Sequence, residues 1–546
     1  MNSHAKILAL GDRAACGLIA AVVLGSIVAF GGAVWWFRTF LAGAALLLVL
    51  VSLARLAARG RIPLLKSPLT ALGLMAIGLG MFQLVPLPGP LARRVSPAAH
   101  EAYGRGVLPE LVRADDPEAA LPDAMGIRTP ASLDRPATLR WLVGAMACLG
   151  VFWAVSHFAD RLGRLYLVWG LVVGGFLLNA TLAVVQISGR GEGLYGLYAP
   201  GGGPAWAPTL DDLFDSPTTT ELSDLVRAKA GPGGAAAAGI GEGGVTAGEP
   251  AATEPAGSAA GAILAPATPP LFGTMMASPG AFLALGSLAM PLALAMVVHM
   301  LTPLGGRDSL ADRLGSSGRG SLVLLLVLMT IPAAFLMGLI AGPWYSLPTA
   351  VGLVAVGLPA VARPGCRAAA AALLVLLLAG LGLGGTLQVR WEPLLGGPPP
   401  VPAPDPKLAR ALWADGLEVA RAFPLVGAGL GTFATVQPSF KAGGASSTTA
   451  MSSLVQWSAE AGAAGLALLA LAAAWSALRI PGGLRRLGRG DRSLAHGLIG
   501  AALSFTLLAA VHWTVELSAV AISASALGGT WNRWLAGGTD LFVERG

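Results

Sequence analysis

The amino-acid sequence predicts an all-α polytopic membrane protein of about twelve transmembrane helices with three long loops on the outer side. Three observations carry this expectation. Of the 546 residues, 55% are hydrophobic and 12% charged, about half of the roughly 25% charged share of an ordinary soluble domain. With only 14 Trp, 16 Phe and 5 Tyr, the apolar mass is Ala, Leu, Val and Gly. That mass arrives in blocks of about 18–25 residues, the length that crosses a bilayer core. The 75 glycines and 39 prolines follow no Gly-X-Y period, so the chain is not collagen-like. A water-soluble enzyme is excluded.

The first block, Cys16 to Phe37, follows a short basic head with Lys6 and Arg13 and ends in no clean small-residue cleavage site. It reads as a first span, 15–37, with the N-terminus inside. Further spans are expected at 40–57, 68–85, 139–158, 165–187, 280–301, 321–341, 346–362, 368–388, 456–478, 495–513 and 517–535. The last is short and rich in Gly and Ser. The chain then divides into N-terminal helices with a first outer loop (1–187), an outer loop (188–279), central helices (280–388), a large outer loop (389–455) and C-terminal helices (456–546). The inner connectors and termini collect 20 basic and 7 acidic residues, a balance of +13, which leaves −6 elsewhere of the overall +7. That asymmetry obeys the positive-inside rule and places both termini in the cytoplasm. The basic excess is thus accounted for by anchors that meet membrane lipids. No basic-aromatic stripe calls for nucleic acid. Cys16, Cys148 and Cys366 have the spacing of neither a zinc site nor a disulfide framework.

The three outer loops differ in character. The first (86–138) is mixed polar. The second carries Asp211, Asp212 and Asp215 and then a Gly/Ala/Pro tract over 228–263, a composition expected of a flexible linker. The third opens with GGPPPVPAPDP, continues as an expected amphipathic helix, LARALWADGLEVARAF, and ends in Gly-rich and Ser/Thr-rich turns.

Within that third loop, FPLVGAGLGTFATVQPSF (423–440) resembles the Pro-Leu-x-Gly-x-Gly-x-Gly-x-Phe segment of the O-antigen ligase and polymerase family of bacterial membrane glycosyltransferases. LVQWSAEAGAAG (454–465) resembles that family's Leu-Gln-x-x-x-Glu-x-Gly-x-x-Gly entry into the next span. In the same order, FQLVPLPGPLARRVSPA (82–98), ASLDRPATLRWL (131–142), FGTMMASPGAFLALGSLAMPLALA (272–295) and VHWTVELSAVAISASALGG (511–529) are similar to further family segments. Together they cover about 450 residues. The chain differs from the family where Met451 and Ser452 replace a His-Asn pair, where 339–350 has no arginine, and where 275–280 has no asparagine.

The resemblance implies transfer or polymerisation of a glycan from an undecaprenyl-diphosphate carrier to a lipid or glycan acceptor, at the outer face of the bacterial cytoplasmic membrane. Such a reaction is inverting and needs neither metal nor other cofactor. It needs cations on the departing diphosphate and benefits from a base on the acceptor hydroxyl. Arg390, Arg410, Arg421 and Lys441 are the candidate cations, with solvated loop charges as the plain alternative. The turn GAGLG (427–431) offers backbone N–H groups to phosphate, or is a simple connector. Glu460 near a span's outer end is a functional candidate, or a carboxylate that complements a helix N-terminus. Gln456 shares its helix face. His512 and Glu516, also four apart, form a candidate catalytic pair, or a span-to-span tie. Two other functions stay open: a catalytically lapsed relative that binds lipid-linked glycan, and a membrane transporter. The latter is disfavoured because no internal repeat is visible.

Overall fold

A computed structural model describes residues 3–28, 35–60, 67–106, 128–189, 279–302, 319–363, 366–390, 406–440, 447–488, 491–512 and 518–536. In chain order the helices are α1 (Ser3–Val28), α2 (Trp35–Ala58), α3 (Leu69–Leu84), α4 (Gly89–Val95), α5 (Pro97–Gly106), α6 (Arg135–Phe158) and α7 (Leu162–Gly189). There follow α8 (Pro279–Leu301), α9 (Arg319–Val361), α10 (Arg367–Val389), α11 (Pro406–Ala422), α12 (Phe433–Val436), α13 (Ser453–Arg485), α14 (Arg492–Val511) and α15 (Ser518–Leu535). Among the described residues no strand forms; one antiparallel bridge joins Leu87 to Thr129.

Nine of these helices are long and apolar enough to cross a membrane: α1, α2, α6, α7, α8, α9, α10, α13 and α14. Most expected spans map one to one onto helices, with three differences. Helix α1 begins at Ser3, so Asp12 and Arg13 lie within it, and residues 35–37 belong to α2. The expected spans 321–341 and 346–362 both form, as the two arms of α9, joined with no separate loop where Gly342 leaves the helical conformation at φ +64° and ψ 179°. Helices α3 and α15, expected at 68–85 and 517–535, have 16 and 18 residues and are outside the nine.

Helix α8 is apolar on every side and enclosed along its whole apolar window, so the bundle packs around it. Phe282 on α8 meets Phe176 of α7 at 5.1 Å between ring centroids, and Trp169 and Phe158 are also fully enclosed. Small residues let backbones approach where two helices cross. A Cβ on Gly338 or Gly384 would overlap the carbonyls of Leu381 or Phe335, which brings α9 against α10. Gly352 and Gly500 bring α9 against α14 in the same way. Leucines elsewhere face outward, Leu478 at 81% and Leu324 at 64% exposure. Apolar surface of this extent fits contact with lipid rather than water.

The bundle has two unlike ends. At one, Asp12 of α1 and Asp160 beside α7 pair with Arg55 of α2, Arg59 just past it and Arg164 of α7. The Arg164–Asp12 and Arg164–Asp160 contacts measure 2.5 and 2.7 Å. Arg55 and Arg164 also lie over the Phe158 ring, at 5.6 and 5.0 Å. The other end gathers the C-terminus of α3, the N-termini of α6 and α13, and the loop elements α11 and α12.

Candidate functional site

The site grows from the loop helix. In α11 the apolar positions Ala409, Leu412 and Val419 fall on one face and are buried, as the sequence predicts for an amphipathic helix. Phe423 continues that face and leads into the Gly-rich turn. Asp415, 4% exposed on the buried face, accepts from Gln437 Nε2 at 2.9 Å. Trp413 Nε1 donates to Met451 O at 3.1 Å, and Met451 itself holds φ +52°.

The turn then threads against α13, which breaks at Gly462 (φ +61°, ψ −158°). In an unbroken helix Ala463 N–H would donate to Ala459 O and Ala464 N–H to Glu460 O. Here both donors turn to the loop instead, to Pro424 O at 2.8 Å and Leu425 O at 3.0 Å. The carbonyls so released accept from Ala428 N at 2.9 Å and Gly429 N at 3.2 Å. Gly427, at φ +75°, lies so close that a Cβ would overlap the Glu460 backbone. Turn and broken helix thus exchange hydrogen bonds strand-fashion.

Side chains complete this knot. Glu460 Oε2 accepts from Gly431 N at 2.7 Å, and Oε1 from Phe433 N at 3.1 Å and Gln456 Nε2 at 3.1 Å. Gln83, fully buried at the end of α3, donates to Val426 O at 2.5 Å and Glu460 O at 2.8 Å, and accepts from Leu430 N at 3.0 Å. Ser132 N donates to Gln83 O and Leu133 N to Ala428 O, both at 3.0 Å. Ser132 Oγ and Thr138 Oγ1 lie 2.8 Å apart. Asp134 caps α6 through Ala137 N at 2.9 Å and accepts from Thr435 Oγ1 at 2.8 Å.

The predicted site residues fare differently. Glu460 and Gln456 meet as their spacing predicts, at the centre of the knot. Each backbone N–H from Gly427 to Phe433 already has a protein acceptor, so the turn is a docked connector rather than an open phosphate cradle. His512 lies one helix away. Its carbonyl accepts from Ser453 N at 3.4 Å, its ring packs edge-on to Tyr345 at 5.2 Å, and it fills the space that a Gly280 side chain would need. Helix α14 ends at Val511 and His512 is extended (φ −141°, ψ 151°). The helical four-residue pairing expected with Glu516 therefore does not start from His512. Glu516 and Lys441 lie outside the described residues. Arg390 is exposed at the end of α10. Arg410 and Arg421 are exposed on one face of α11, separated by on the order of 16 Å along the axis, too far to clamp one diphosphate together. Arg421 pairs with Glu418.

Gln83, Asp415 and Gln437 are the residues that sequence reasoning passed over. Gln83 carried a signal, a single amide at the end of an apolar run. Beside the knot a groove of about 550 Å³ opens between α5, α11 and α12, lined by Glu101, Leu133, Phe423, Thr435, Ser439 and Phe440. Among the described residues no group of three or more His, Cys, Asp or Glu converges to hold a metal ion. No protein-family model, curated protein or solved structure matches this chain.

Proposed function

We propose that the chain is an O-antigen ligase-like membrane glycosyltransferase, which moves or polymerises a glycan from an undecaprenyl-diphosphate carrier. In this reading it sits in the bacterial cytoplasmic membrane with about twelve spans and both termini in the cytoplasm. The knot then faces outward, where the lipid-linked donor and a lipid or glycan acceptor meet. One observation carries the reading. Four stretches chosen for their resemblance, 82–98, 131–142, 423–440 and 454–465, are scattered over 384 residues and join in one hydrogen-bonded knot. Such convergence is what a shared architecture requires.

In the transfer the acceptor oxygen attacks the anomeric carbon from the face opposite the diphosphate, which departs with the bonding pair. Arg390, Arg421 or Lys441 would stabilise its growing charge. His512 would take the acceptor proton. Glu460 is fully engaged by three donors and serves as a positioning residue for the turn. That engagement favours a second reading, a relative that binds lipid-linked glycan without transferring it.

The test is purified protein in proteoliposomes with undecaprenyl-diphosphate-linked glycan and a lipid acceptor. Transfer that falls about 10²–10⁴-fold in His512→Ala supports the enzyme reading. Saturable glycan binding with no product supports the binder. Neither binding nor product rejects both.

A further inference from the structure

The charged end of the bundle carries a second basic cluster whose chemistry differs from the first. Arg55, Arg59 and Arg164 are matched by Asp12 and Asp160. Arg363, just past α9, and Arg492 and His496, on the first turns of α14, have no such match. The antiparallel contact of Gly352 with Gly500 sets the register that brings these two helix ends together. Burial lowers the Arg363 pKa, the Cys366 thiol opposes this, and the neighbouring Arg492 lowers it further; both guanidiniums lie within electrostatic reach of the His496 ring. Arg363 and Arg492 form no ion pair among the described residues. Arg363 Nη1 is enclosed with no hydrogen-bond acceptor, and Arg492 spends its Nε on Leu487 O at 3.2 Å. The nearby carboxylate, Asp491, has its own pKa raised by burial, with His299 opposing. Like charges placed together, with a buried donor left over, lack an anion.

An apolar groove is linked to this cluster through Tyr166, His299 and Ser493. It holds about 520 Å³ between α7, α8 and α9 and is lined by Tyr166, Gly174, Leu177, Met300, Leu325 and Met329. Gly170 and Gly174 leave it open, since nothing lies within 4 Å of where their side chains would be. At its mouth the Tyr166 ring stands 6.0 Å from that of His299, whose Nδ1 is 3.5 Å from Ser493 Oγ, next to Arg492. A cationic group joined to a hydrocarbon-lined groove at membrane depth complements a molecule with an anionic head and an apolar tail.

We propose that Arg363, Arg492 and His496 bind the phosphate of an anionic phospholipid whose acyl chain lies in the groove between α7, α8 and α9. The phosphate supplies the acceptor that Arg363 lacks, in the paired geometry guanidinium favours. The proposal is independent of any glycan transfer at the opposite end.

The experiment uses the full chain in nanodiscs of phosphatidylcholine, with phosphatidylglycerol titrated in, and lipid retention read by native mass spectrometry. Wild type is expected to retain phosphatidylglycerol selectively. The R363Q/R492Q double variant should lose about 30-fold in that preference, equivalent to about 2 kcal/mol at about 1 kcal/mol per basic residue. R363K/R492K should keep most of it. R485Q/R486Q, exposed basic residues at the end of α13, should match wild type. Equal losses in both glutamine pairs would reduce the effect to general surface charge and overturn the site. Full protection by inorganic phosphate in phosphatidylcholine alone would overturn the lipid assignment, and a Gly174→Leu variant with unaltered retention would remove the groove from it.

Discussion

Glu460 shows how one side chain decides what a motif means. As a sequence feature it is an ionisable group at a span end, which invites a catalytic role. In the fold its two oxygens take three donors, and the turn they hold is held again by Gln83 from the opposite side. Replacing Glu460 by Gln keeps one acceptor oxygen but turns an amide donor toward one of the N–H groups. The expected cost is about 1–3 kcal/mol, read as a lower thermal midpoint in detergent; an unchanged midpoint would mean that the carboxylate bears no such load. His512 sits differently, buried yet clear of the Glu460 knot and against the aromatic Tyr345. Its extended backbone could not be read from sequence, because the end of α14 depends on where α13 and α8 meet it.

At the scale of elements, the amphipathic helix α11 was legible because its buried face repeats at helical spacing. The break in α13 was not. AEAGAAG reads as a continuous small-residue helix, and only the approach of the Gly-rich turn converts two helical hydrogen bonds into loop contacts. Gly427 is where that approach is closest. Gly427→Ala combines a left-handed backbone with a clash against the Glu460 main chain. Loss of turn docking is expected, visible as faster hydrogen exchange over 424–433 and 459–464, while α9 and α10 keep wild-type protection. Uniform exchange across the chain would reject the idea that turn and helix form one unit. The break of α9 at Gly342 was legible in part: Gly342, Pro343 and Pro348 separate the two expected spans, and the chain turns there without a longer loop.

On the scale of the whole molecule, the buried ion pairs and the Glu460 knot lie at the two ends, while the buried polar groups within the spans, such as Asn179, Ser287 and Thr330, are uncharged. This is what a hydrocarbon solvent demands. Asp491 at the charged end gives the partition a pH signature. Burial raises its carboxyl pKa in the native state, so the native chain binds that proton more tightly than the unfolded chain, whose value is about 3.9. Stability therefore falls as pH rises through the interval between the two values. Asp491→Asn is expected to flatten that slope and to raise the midpoint at neutral pH, measured by thermal denaturation at pH 4 and pH 7. A slope identical to wild type would show the carboxyl to be fully solvated.

The sequence by itself determined that this chain is helical and membrane-embedded, which runs of apolar residues dictate locally and without reference to partners. It also picked out four stretches that meet in the fold, since unusual residues stand out against an apolar background. The tertiary structure alone decided what those stretches do. Whether a glycine-rich turn is open to a ligand or occupied depends on which acceptors reach its N–H groups. Here they come from Gln83 and Glu460, 377 residues apart, and no local pattern encodes that meeting.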